Sequence, residues 1–93
     1  MLTPIEEQTL APPPPAQHGP RVIRLHSDDD VVIARDQLVS GAVLWEEGVT
    51  VMGLIPPGHK IATRAIETGK PVRRYGQIIG FAKTDIAAGR HVH

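Results

Sequence analysis

The spacing Ala-x3-[Leu/Ile]-x2-Gly-x2-[Leu/Val] recurs along this chain and restricts its fold more than any other feature. It runs through Ala34, Leu38, Gly41 and Leu44, then Ala62, Ile66, Gly69 and Val72, then Ala82, Ile86, Gly89 and Val92. The intervals between copies are uneven, which excludes a solenoid of fixed repeat length. Each copy begins on a short apolar stretch: VVIA at 31–34, KIA at 60–62, QIIGFA at 77–82. Their length and β-branched content favour strands. One apolar anchor follows, in a tight loop or a single helical turn. The glycine then suits a positive-φ position that a Cβ would penalise, and a second short strand closes the unit.

The rest of the chain agrees with a β-rich fold. RVIRLH (21–26) alternates as a half-buried strand does, and GVTVMGLI (48–55) reads as another, stopped by Pro56-Pro57-Gly58. No segment carries a sustained helical period. The expected class is all-β, a small barrel-like or clip-like domain of short strands joined by Gly and Pro turns. Residues 1–20 hold six of the nine prolines, and the run Pro12 to Pro15 favours solvated polyproline II. A disordered Pro-rich tail is expected over 1–20, with 21–93 as the folding unit.

Composition narrows the partners. Zero formal charge and a single Trp, Tyr and Phe argue against nucleic acid and anionic lipid. The absence of cysteine removes disulfides, thiolate chemistry and zinc–thiolate sites, and fits a reducing compartment. The N-terminus has neither the basic nor the apolar region of a secretory signal, and no segment is long enough to span a bilayer. A cytoplasmic protein without a membrane partner is expected.

Four stretches carry groups that could do chemistry. His26-Ser27-Asp28-Asp29-Asp30 combines imidazole with carboxylates, which suits a divalent cation; it is equally a solvated acidic turn. Gly58-His59-Lys60 holds two polar side chains at a strand mouth, facing a carboxylate, or ends a type II turn in solvent. Arg73-Arg74-Tyr75-Gly76 offers a guanidinium fork and a phenol that both donates and accepts, or is a hairpin connection with solvated arginines. His91 and His93 share one face of an extended strand, a spacing that suits a metal or an anion. No nucleophile elbow and no phosphate-cradling loop is present. The residues alone describe a small β domain with polar strand ends that could bind an anion.

The stretches LHSDDDVVIA, IPPGHKIATRAI and RRYGQIIGFAKTDIAAGRHVH resemble, in order, the N-terminal SAF domain of the altronate dehydratase and D-galactarate dehydratase family, a β-clip fold. The resemblance covers roughly 21–93. The family's His-x-x-Asp-Asn-Val falls on His26, Asp29, Asp30 and Val31, with Asp30 in place of the usual asparagine. Gly-His-Lys falls on Gly58, His59 and Lys60, and Tyr-Gly-x-x-Ile-Gly on Tyr75, Gly76, Ile79 and Gly80. Asp-Ile-x-x-Gly-x-x-Val-His matches Asp85, Ile86, Gly89, Val92 and His93.

The resemblance implies part of a hydro-lyase that dehydrates a sugar acid to a 2-keto-3-deoxy acid with a divalent metal, iron or manganese. The family's catalytic body is a larger C-terminal region or a separate large subunit, so the chain alone is expected to be inactive. Its implied role is to gate or complete the substrate site. His26, His59, Lys60, Arg74 and Tyr75 would face the sugar-acid anion, with His91 and His93 beside them; the spacing of those two histidines makes them the expected metal ligands, and no catalytic residue is assigned. The alternatives are a non-enzymatic docking or ligand-binding module and the small subunit of a sulfolactate sulfo-lyase. Exposed strand edges also allow a homo-oligomer.

Overall fold

The computed structural model describes residues 20–93; the expected disordered tail, Pro20 apart, lies outside the described residues. Eight short strands follow one another: β1 (Val22–Ile23), β2 (Val31–Ala34), β3 (Val43–Leu44), β4 (Val49–Thr50), β5 (Lys60–Ala62), β6 (Pro71–Arg74), β7 (Gln77–Phe81) and β8 (His91–Val92). The described residues contain no helix. An antiparallel sheet runs β1-β2-β5-β8, and β3–β4 and β6–β7 form separate two-stranded ribbons. The all-β expectation holds. Two expected strands are shorter than their apolar runs, because RVIRLH is a strand only at Val22–Ile23 and 48–55 only at Val49–Thr50. Gly53, at φ +98°, breaks the second run, and Ile55 beyond it makes an isolated antiparallel bridge to Leu38.

That bridge reveals a fourth copy of the repeat. Val51, Ile55, Gly58 and Ile61 keep the same spacing, with valine at the alanine position and isoleucine at the end. The copies interlock in pairs. Leu38 and Ile55 exchange backbone N–H···O bonds of 2.9 Å, and Ile66 and Ile86 exchange bonds of 2.8 Å. The glycine N–H of each copy donates at 2.8 Å to the first carbonyl of its partner: Gly41 to Val51, Gly58 to Ala34, Gly69 to Ala82, Gly89 to Ala62. In return, the first N–H of each copy donates to the residue after the partner's glycine, at 2.8–2.9 Å. All four glycines have φ between +81° and +96°. Each is the third residue of a turn closed by an i+3 to i bond of 3.0–3.2 Å, the type II position that favours glycine.

The interlock places apolar side chains on both faces of the central sheet. Along β2, Val32 and Ala34 enter one cluster with Leu38, Ile55 and Ile61, whereas Val31 enters a second with Ala62, Ile66 and Val92. This is the strand period of two, with both faces covered. It explains why VVIA reads as a continuous apolar run and not as an alternation.

Candidate functional site

Polar residues gather at the two ends of the β2–β5 ladder, which runs from Val31↔Ala62 to Ile33↔Lys60. At the first end, Asp29 and Asp30 are only 4% and 2% exposed. Buried carboxylates require donors, and both have them. Asp29 accepts the N–H groups of Tyr75 (2.9 Å) and Gly76 (2.7 Å). Asp30 accepts the Arg73 N–H and the Arg64 Nε, both at 2.7 Å, and a second Arg64 guanidinium nitrogen. Asp29 and Asp30 are therefore neither a solvated turn nor cation ligands: they tie the β6–β7 ribbon to the sheet. Asp30, where the family pattern has asparagine, meets its compensating charge in Arg64.

The ribbon turns at Tyr75, whose φ of +59° makes it the only non-glycine with positive φ among the described residues. Such a conformation persists only where its surroundings enforce it, and here the Asp29 carboxylate does. The His26 imidazole lies over Gly76, close enough that a Cβ there would come within 3.1 Å of the ring. The Arg74 guanidinium carbon sits 5.8 Å from the Tyr75 ring centroid, a cation–π distance. Arg74 Nε is buried with no partner among the described residues, so this arginine is not simply solvated. His26, Arg74 and Tyr75 thus share one corner.

Arg24 braces that corner from beneath. Its Nε and Nη2 donate to Glu47 at 3.0 and 2.6 Å, and Nη1 donates to the His26 and Asp29 carbonyls at 3.0 and 3.1 Å. The Glu47 hydrogen bond is the main reason its pKa is raised, with burial opposing. Neither Arg24 nor Glu47 was legible as a site residue. They lie 23 positions apart, and no local motif links them.

The other end of the ladder gathers imidazoles. His59 ends the type II turn that leads into β5, and His91 opens β8, which pairs β5 through Lys60↔Val92 and Ile61↔His91. His59 Nδ1 lies 2.8 Å from His91 Nε2, so one ring donates and the other accepts. The His91 and His93 ring centroids are 4.3 Å apart. The His91 pKa is lowered from 6.5, first by burial and then by the positive potentials of His93, His59 and Lys60. A concentration of such groups favours an anion.

The fit to a metal is incomplete. Among the described residues, no group of three or more His, Cys, Asp or Glu side chains is placed to hold an ion. His59 Nδ1 and His91 Nε2 also point at each other. A metal on His91 and His93 therefore requires further ligands from outside these residues. The residues expected to face one substrate thus fall into two sets: His59, Lys60, His91 and His93 at one end, and His26, Arg74 and Tyr75 at the other.

Interlocked turn–strand units with polar groups displayed at the strand ends define a small β-clip domain. The sequence model of the altronate/galactarate dehydratase SAF domain matches residues 20–93, and the chain belongs to that family. It is 40% identical over 73 residues to the altronate dehydratase of Escherichia coli (strain K12), across 76% of this chain and 15% of that protein. Identity to the Bacillus subtilis (strain 168) altronate dehydratase is 37% over 73 residues, with the same shares of 76% and 15%. Galactarate dehydratase (L-threo-forming) of Escherichia coli (strain K12) is 32% identical over 68 residues, covering 72% of this chain and 13% of that protein. The match thus spans a small part of each relative. No helix among the described residues is long and apolar enough to cross a membrane.

Proposed function

We propose that the chain is the SAF domain, or a separate small subunit, of a cytoplasmic sugar-acid dehydratase acting on altronate or galactarate, and that it completes the substrate site without catalysing alone. The names of its relatives support the reaction class. The observation that carries the site is the clustering of His59, Lys60, His91 and His93 by the β5–β8 pairing. Dehydration of a sugar acid needs a base for the proton beside the carboxylate and an acid for the departing hydroxyl. His91 and His93 would hold a divalent iron or manganese ion only together with ligands from the catalytic body, and such an ion would supply charge stabilisation there.

In this reading the domain's own residues bind and orient. Lys60 supplies positive charge, and the imidazoles supply N–H donors to the substrate carboxylate. His26, Arg74 and Tyr75, at the opposite end of the ladder, meet another part of the substrate or the catalytic body.

The test is an amide NMR titration of the full chain with altronate and with galactarate, each with and without Mn²⁺. Saturable shifts centred on His59, Lys60 and His91 are expected, and His59→Ala should abolish them without altering the melting temperature. Spectra that stay flat in every arm overturn the substrate contact.

A further inference from the structure

The β6–β7 ribbon leaves apolar side chains uncovered on both faces. Ile78 and Ile79 are neighbours, so they point to opposite sides, yet they are 48% and 50% exposed, and Phe81 is 63% exposed. Among the described residues, strand β7 pairs only with β6, and its other edge has no strand against it. This exposure does not come from looseness, because Asp29 grips the turn through the Tyr75 and Gly76 N–H groups. A pre-positioned apolar edge avoids part of the ordering cost of association, and contiguous exposed apolar surface marks an interaction site.

The chemistry beside the ribbon indicates what sits there. A groove of about 670 Å³ separates β7 from β8, with Ile79 and Phe81 on one wall and Lys83, Arg90, His91 and His93 elsewhere around it. The one acid among its described lining residues, Asp85, already accepts the Thr68 N–H and hydroxyl at 2.9 and 2.8 Å. The walls therefore ask for apolar side chains together with a carboxylate. The matched stretch makes up 15% of each altronate dehydratase, so most of such an enzyme lies outside the domain and must be contacted by some face of it.

We propose that β7 and the β7–β8 groove are the seat of the dehydratase body. A segment of that body bearing apolar side chains and a carboxylate lies along the free edge of β7 and closes over His91 and His93. The inference rests on the reading of the domain as part of a dehydratase, and it says how the imidazole corner is shut off from water.

Hydrogen–deuterium exchange tests it, comparing the full chain alone with a hybrid of the Escherichia coli altronate dehydratase in which residues 20–93 replace the matched stretch. Exchange at residues 77–81 and 91–93 should slow at least tenfold in the hybrid. Replacing Ile79→Glu together with Phe81→Glu should remove that protection while leaving the melting temperature of the chain alone unchanged. Equal exchange in both settings overturns the proposal, whether or not the hybrid assembles. Protection that rises with concentration in the chain alone also overturns it, by identifying a second copy as the occupant. Turnover is recorded separately: protection without dehydration sustains the docking and sinks the dehydratase reading, and dehydration without protection does the reverse.

Discussion

The two halves of the clip, Ala34 to Ile61 and Ala62 to Val92, contain the same interlocked pair of units but distribute their apolar residues differently. In the first half both anchors, Leu38 and Ile55, are completely buried, and the linking hairpin buries Leu44 and Val49. In the second half Ile66 is buried but Ile86 only partly so, and the linking ribbon leaves Ile78, Ile79 and Phe81 in solvent. The first half packs its anchors with Val22 and Val32 from outside it, and leaves Val39, Trp45, Met52 and Leu54 exposed on its surface. The second half uses the same backbone device to present surfaces, and it carries Tyr75, His91 and His93. The same backbone unit thus carries a linking hairpin that packs Leu44 and Val49 into the core in one half and a linking ribbon that holds Ile78, Ile79 and Phe81 out of it in the other.

The glycine turns offer the largest test of that contrast. Gly69 and Gly89 have nearly equal φ values, +84° and +90°. A Cβ on Gly69 meets nothing, whereas one on Gly89 collides with the Thr50 carbonyl of the first half. Gly89→Ala should cost about 4 kcal/mol, combining left-handed strain with overpacking against backbone. Gly69→Ala should cost about 1 kcal/mol, from strain alone. Urea melts of both variants check this. Equal losses would mean that the halves do not bear on each other at Gly89, despite the 2.9 Å bond from the Met52 N–H to its carbonyl.

A smaller difference is expected between the anchors. Leu38→Ala removes a fully buried side chain and should cost about 3 kcal/mol, with the cavity term included. Ile86→Ala, at a partly buried position, should cost roughly half as much. If Ile86→Ala proves as damaging as Leu38→Ala, the second half is no less core-like than the first, and its exposed ribbon needs a different explanation.

The backbone device was legible in the sequence because the glycine spacing is dictated by a turn type, which local residues determine. Three copies stood out. The fourth did not, because Val51 replaces alanine and the surrounding apolar run read as one strand until Gly53 was seen to break it. The histidines were legible as candidates, but their division into two corners was not. That division depends on pairings between strands distant in the chain, such as β5 with β8, which no local spacing encodes. The aspartates were misread for a related reason: DDD after a strand looks like a solvated turn, and only the tertiary fold brings the N–H groups of Tyr75 and Gly76 onto Asp29.

The gentlest probe of the two halves is electrostatic. Lys60 and His91 occupy equivalent places, each two residues after its unit's glycine, and the β5–β8 pairing sets them side by side. Lys60 contributes to lowering the His91 pKa from 6.5, behind burial and the neighbouring histidines. Because the folded value lies below the unfolded one, the unfolded chain binds more protons in the window between them. His91's contribution to stability is then complete above the unfolded value and is lost as the pH falls through the folded value. Lys60→Gln should therefore raise the His91 midpoint slightly, without returning it to normal, since burial remains the leading cause. Following the His91 Cε1 proton by NMR across pH 4 to 8 reads this directly. An unmoved midpoint would show that the first half's charge does not reach the imidazole corner. The anion would then be drawn by the histidines of that corner alone.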